Sequence, residues 1–252
     1  MNETYKVQVQ DLVDDLKAVF THAGLGGEAG EYKLLTQSFL YKFLNDKFLY
    51  QAKVLDESNT YENLLAMGED DYDWLLEDIG TSTAWLKPDQ LIETLHRQQN
   101  EATFYESFEN TLNQIAIDNN DIFSVHTDGD TAIRLFDERL ITDTISDSSK
   151  RNEVAKAIIN LLARVKFDET IFSQGFDFFS TLFEYMIKDY NKDGGGKYAE
   201  YYTPHSVAKI IADILVGNDQ PSNVRIYDPS AGSGTLLMNL ASRIGVDKTT
   251  VY

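Results

Sequence analysis

Asp228-Pro229-Ser230-Ala231-Gly232-Ser233-Gly234 is the stretch of this 252-residue chain whose residue types and spacing reach furthest towards chemistry. It follows a short strand-forming run, Val224-Arg225-Ile226-Tyr227. It precedes Thr235 to Ile244, in which Leu236, Leu237, Leu240, Ala241 and Ile244 recur at helical spacing before Gly245 closes the run. Strand, glycine turn and helix N-terminus in that order aim backbone N–H groups at a ligand, and the glycines let it come close. That is the nucleotide-binding opening of a Rossmann-like sheet. No Lys follows Gly234, as a phosphate-binding loop requires, and Leu237 stands where the dinucleotide fingerprint needs a third small residue. The remaining form sets an acid, Asp228, at the strand end to meet an ammonium group, while the helix N-terminus faces a carboxylate. S-adenosylmethionine carries both groups and is the ligand this pattern favours, although the turn alone leaves others open.

A second element lies upstream, Lys197-Tyr198-Ala199-Glu200-Tyr201-Tyr202-Thr203-Pro204-His205. Thr203 is a suitable N-cap and Pro204 fits the first helical position. Val207, Ile210, Ile211, Ile214 and Leu215 then mark one apolar face of a helix. Capping gives no reason for three tyrosines to crowd the positions before it. Core packing is the plain alternative for Tyr201 and Tyr202.

The elements that must position these groups are mainly helical. Apolar residues at three- and four-residue spacing predict helices around Val9 to Phe20, Glu31 to Tyr50, Tyr61 to Met67, Asp70 to Ile79, Pro88 to Ala102, Phe104 to Ile117, Lys150 to Arg164 and Phe176 to Asp189. In Glu31 to Tyr50, the residues Leu35, Phe39, Leu40, Phe43, Leu44 and Phe48 form a broad apolar face, with Lys33, Thr36, Lys42 and Asn45 off it. Such width suits a deeply packed helix. Ile122 to Thr127 and Thr131 to Phe136, joined by Asp128-Gly129-Asp130, suit a short hairpin. The triglycine run Gly194-Gly195-Gly196 reads as a hinge over residues 191–197.

Composition narrows the classes. There is no cysteine and there are only four scattered histidines, which argues against disulfides, thiolate chemistry and a metal centre. No apolar run is long enough to span a membrane and the N-terminus lacks a signal peptide, so a cytoplasmic protein is expected. The net charge is −19, and residues 194–252 hold five basic and five acidic side chains, so the whole excess lies in residues 1–193. Such a surface should repel DNA. It suits either plain solvation or docking of basic partners.

The Asp228 to Leu237 run resembles the S-adenosylmethionine motif of amino-methyltransferases acting on DNA. Paired with Glu200 to His205, it resembles the modification (M) subunit of type I restriction-modification systems; Phe39 to Phe48 and Asp177 to Ile187 are similar to that family's helical N-terminal part. The resemblance implies a mostly α N-terminal domain at residues 1–190, the hinge, and at 198–252 the truncated start of an α/β Rossmann-like S-adenosylmethionine-dependent methyltransferase domain. It carries cofactor contacts onto Glu200, Tyr201, Tyr202, Thr203, Pro204 and His205, a position where the family often has Arg. On the other side of the pocket it carries them onto Asp228, Pro229, Ala231, Gly232, Ser233, Gly234 and Thr235. The implied activity is adenine methylation in DNA. The implied partners are a specificity (S) subunit that reads the sequence, a restriction (R) subunit and a second M subunit, with DNA held only in the assembly.

The family's catalytic Asn-Pro-Pro-Phe/Tyr tetrapeptide does not occur in these residues, and neither does an acid closing a second strand to hold ribose hydroxyls. The chain is therefore expected to be a portion of a longer enzyme, inactive alone. Two competing readings are a non-catalytic acidic helical module that docks a partner or mimics DNA, and a methyltransferase acting on RNA or protein.

Overall fold

The computed structural model describes all residues except 1–2, 27–28, 82, 124, 127–131, 175–202, 220 and 233. It divides into two compact units, residues 11–172 and residues 1–10 with 173–252. The helix expected at Phe176 to Asp189, the hinge at 191–197, and Glu200, Tyr201, Tyr202 and Ser233 lie outside the described residues.

The unit formed by residues 11–172 is helical. Its elements are α1 (Glu3–His22, which begins in the other unit), α2 (Ala29–Leu55), α3 (Tyr61–Ala66), α4 (Glu69–Ile79), α5 (Ile92–Gln98), α6 (Phe104–Asp118), α7 (Asn120–Phe123), α8 (Leu140–Thr144), α9 (Arg151–Arg164) and the start of α10 (Glu169–Gln174). Strands β1 (Val125–His126) and β2 (Ala132–Ile133) pair antiparallel, as the Asp-Gly turn predicts, although α7 takes the residues expected to begin the hairpin. The predicted Pro88 to Ala102 helix is broken: Pro88–Gln90 is a 3-10 turn and Leu91 is extended before α5. The Gln90 side chain accounts for the break, because its Oε1 accepts from Lys87 N–H at 2.8 Å and closes the turn early.

Helix α2 runs through the middle and packs against α4, α8 and α9. Leu34, Leu35, Phe39, Tyr41, Leu44, Phe48 and Ala52 are all buried on it. They meet a core that includes Phe104, Phe108, Leu112 and Ile115 of α6 and Val154, Ile158, Ile159 and Leu162 of α9. The Tyr41 and Phe108 rings pack edge to face with centroids 6.1 Å apart, the geometry their quadrupoles favour.

Burial on α2 extends further round than its apolar face. Lys42 and Asn45, expected off that face, are buried together with Asp46. Lys42 Nζ lies 2.8 Å from Asp46 Oδ2, Asn45 Nδ2 donates to Asp46 Oδ1 at 2.8 Å, and Phe167 N–H donates to Asp46 Oδ2 at 2.7 Å. Asn45 Oδ1 in turn accepts from Ile92 N–H at 2.9 Å. The carboxylate is thus saturated by donors, which lets a charge persist in the interior. Desolvation lowers the Lys42 pKa, opposed by the Asp46 charge. Residues beyond α9 are fastened to the same helix. Phe167 and Ile171 are buried, and the Phe172 ring stacks 5.2 Å from Tyr50 and lies 5.8 Å from Phe43.

The unit formed by residues 1–10 and 173–252 contains a strand-helix-strand motif. Helix α11 (His205–Val216) is followed by β3 (Val224–Ile226), α12 (Thr235–Ile244) and β4 (Thr249–Val251). Strands β3 and β4 pair in parallel, with Val224 opposite Thr249 and Ile226 opposite Val251. The expected second strand therefore exists, and α12 is the crossover between the two. Ile226, Leu237 and Ala241 form its small core, with Leu240 and Ile244 packed against them. Gly245, with φ of 119°, ends α12 where the sequence places its stop.

Helix α11 departs from expectation. Pro204, not Thr203, is its N-cap, and no side-chain cap bond forms. The buried residues are Ala208, Ala212 and Val216, four apart, whereas the expected apolar face of Val207, Ile210, Ile211, Ile214 and Leu215 is exposed. Small alanines permit a close approach to α12, and that contact decides which face turns inward.

Candidate ligand-binding turn

The turn between β3 and α12 forms at the carboxyl end of a parallel strand, where open α/β sheets bind ligands. Asp228 is half-buried, and its Oδ1 accepts from Ser230 N–H at 2.8 Å, which fixes the carboxylate at the strand end. Gly234 N–H donates to Ala231 O at 2.8 Å, closing a tight loop. Gly232 and Gly234 have φ of 56° and 73°, the left-handed region that side chains resist. Gly234 caps α12, and Thr235 is buried directly behind it. Pro229 and Ser230 are exposed and Ala231 is half-buried, so the outer side of the turn faces open space.

Residues 235, 239 and 243 share one face of α12, and that face looks onto α11. Arg243 Nε meets Asp213 Oδ1 at 2.8 Å, and Arg243 Nη2 donates to Gly217 O at 2.8 Å. This pair ties the C-terminal part of α12 to that of α11, and the two helices pack against each other. Thr203 and His205, both half-buried, and the exposed Pro204 stand at the start of α11. Asn239 is buried, and its Nδ2 donates to Thr235 O at 2.8 Å within the same helix. Its role in holding Thr235 was missed from the sequence, although its four-residue spacing from Thr235 was a usable signal.

The α12 N-terminus with its partial positive charge and the fixed Asp228 carboxylate supply donors for a carboxylate and an acceptor for an ammonium group. This chemistry fits the amino-acid end of S-adenosylmethionine. Among the described residues no group of acids and histidines could hold a metal ion, and no helix is long and apolar enough to cross a membrane. A cleft of about 290 Å³ lies elsewhere, between α1 and α9, lined by Ala18, Val19, His22, Ala23, Lys150, Glu153, Val154 and Ala157.

With this geometry, comparison with known proteins gives a class. Residues 174–251, which contain the turn, match the N-6 DNA Methylase family. Across 97% of its length the chain is also 24% identical to the type I restriction enzyme MpnII methylase subunit of Mycoplasma pneumoniae, of which it covers 45%. The crystal structure of the type I restriction-modification system methyltransferase subunit from Streptococcus thermophilus shares the fold. It matches 97% of this chain with a TM-score of 0.65 at 21% identity, and 52% of that chain is covered. The chain thus spans about half the length of the relatives it matches. The resemblance to type I M subunits drawn from its residues is borne out.

Proposed function

We propose that residues 1–252 form the N-terminal portion of a type I restriction-modification M subunit, and that the parent enzyme methylates the exocyclic amine of adenine in DNA using S-adenosylmethionine. The parallel β3-turn-α12-β4 motif, with its left-handed glycines inside the N-6 DNA Methylase match, carries this reading. In it, Asp228 holds the cofactor's ammonium group. The α12 N-terminus, opened by Gly232, Ser233, Gly234 and Thr235, faces its carboxylate, with Pro229 and Ala231 shaping the turn. Glu200, Tyr201, Tyr202, Thr203, Pro204 and His205 line the opposite wall. When bound, the cofactor supplies an electrophilic methyl group; these residues orient it. The target base is flipped from the duplex to meet it.

The Asn-Pro-Pro-Phe/Tyr tetrapeptide is absent from residues 1–252, so the base-binding step belongs to other residues of the parent. Sequence reading belongs to an S subunit, with an R subunit and a second M subunit completing a cytoplasmic assembly. Residues 1–190 serve that assembly, and the hinge at 191–197 lets them move relative to residues 198–252.

Calorimetry tests the reading. Residues 1–252 should bind S-adenosylmethionine weakly or not at all. A chain extended to the length of its relatives should bind it and lose binding on Asp228→Ala or Gly232→Val. Retained binding in both variants would remove the turn from the pocket, and methyl transfer to adenine by residues 1–252 alone would refute the division of labour.

A further inference from the structure

Helix α4 carries six acidic residues, Glu69, Asp70, Asp71, Asp73, Glu77 and Asp78, and no basic one. Its inner face is settled: Tyr72, Leu75 and Ile79 are buried, the Tyr72 ring packs 6.4 Å from Phe48 of α2, and its hydroxyl donates to Leu86 O at 2.6 Å. The outer face holds Trp74, which is 67% exposed. On a helix the neighbours of a residue are those three and four positions away. For Trp74 these are Asp70, Asp71, Glu77 and Asp78, all acidic and all exposed.

Solvation of a charged face accounts for the carboxylates but not for a tryptophan at their centre. An indole left mostly in water gives up most of the apolar burial its size offers. The chain's other tryptophan behaves as a structural one should, since Trp85 is half-buried and its Nε1 donates to Gly80 O at 2.7 Å.

We propose that the outer face of α4, centred on Trp74, is a docking surface for an arginine-rich segment of a partner protein. Charge complementarity selects the occupant. A guanidinium lies flat on the indole face, while the surrounding carboxylates pair with its edge and with neighbouring basic side chains. Arginine fits better than lysine because it stacks and donates at once. Nucleic acid is disfavoured, since its phosphates would meet four carboxylates around the ring. The inference goes beyond the methyltransferase reading and does not depend on it.

The test uses the whole chain with Trp85→Phe, so that Trp74 is its one remaining tryptophan, titrated with an oligopeptide alternating arginine and glycine. Emission from Trp74 should shift on binding. Calorimetric titration with the same peptide, which needs no tryptophan, should show Trp74→Ala weakening its affinity by about tenfold or more, as a central aromatic anchor does. Asp71→Asn with Asp78→Asn, which keeps the indole, should also weaken it. The charge-matched Asp219→Asn with Asp247→Asn, on exposed residues outside the helical unit, should change it by no more than about twofold. Circular dichroism should show all variants folded. An affinity unchanged by Trp74→Ala would overturn the proposal, as would equal losses in the two charge variants. A Trp74 shift produced by duplex DNA, or by raising protein concentration without peptide, would overturn the choice of occupant.

Discussion

Helices α2 and α11 both show a wide apolar face in the sequence, yet the two units use those faces in opposite ways. Around α2 burial reaches past the apolar residues to Lys42, Asn45 and Asp46, whereas α11 buries two alanines and a valine and leaves Ile214 74% exposed. Periodicity reports which side of a helix is apolar. Whether that side is covered depends on the elements packed against it, so the same pattern yields a saturated core in one unit and an open face in the other.

Four experiments on residues 1–252 would break or sharpen this contrast. The largest effect is expected from Asp46→Ala, which strands Lys42 in the interior and leaves Phe167 N–H and the Asn45 amide without their acceptor. It should destabilise the helical unit by about 3–5 kcal/mol, and chemical denaturation measures it. A loss below about 1 kcal/mol would mean that water reaches this network.

Alkali should act next, and on the helical unit. Burial raises the Tyr41 pKa well above its usual value, as the Asp46 and Asp89 charges also do, and burial raises that of Tyr72. The unfolded chain ionises these phenols near pH 10 while the folded one keeps them protonated. Stability is therefore full below pH 10 and falls above it, by about 1.4 kcal/mol per pH unit for each group. Melting followed from pH 9 to 11 should show the fall, and Tyr41→Phe should make it shallower.

Gly234→Ala comes third. At φ of 73° a side chain is strained, but its Cβ would meet only Met238 Cγ, at 4.0 Å. The strand-helix-strand motif should lose about 1 kcal/mol without rearranging. A larger loss of stability would point to a crowding that the open turn does not show. Smallest of all is Ile214→Ala, expected within about 0.5 kcal/mol of zero. Leu112→Ala, fully buried in α6, should cost about 2–5 kcal/mol. If Ile214→Ala cost as much as Leu112→Ala, the open face of α11 would be covered in solution.

Much of the fold was legible because its signals are local. Gly245 stops α12, Leu237 and Ala241 set its inner face, and β1 and β2 pair where a hairpin is expected. What was not legible depends on distant partners. Lys42 is buried because Phe167, far along the chain, supplies a donor to Asp46; the four-residue spacing of Lys42 and Asp46 hinted at a pair but not at its depth. Thr203 fails as a cap because α11 starts one residue later than the Thr-Pro pattern suggests. At the turn, Asp228 and the glycines were readable from type and order. The tie between α11 and α12 was not, since it rests on Arg243 crossing to Asp213.

The segment after α9 bears on where the helical unit can be cut free. A chain shortened at Arg164 would end on a long, well-formed helix and would look complete. It would nonetheless remove Phe167 N–H from Asp46, uncover the hydrophobic surface that Phe167 and Ile171 seal, and expose the ring faces of Phe43 and Tyr50 that Phe172 covers. Such a product should aggregate during expression, whereas one ending after Phe172 keeps its own seal and should remain monodisperse. The natural border of the helical unit thus lies at a ring stack rather than at the end of its last long helix.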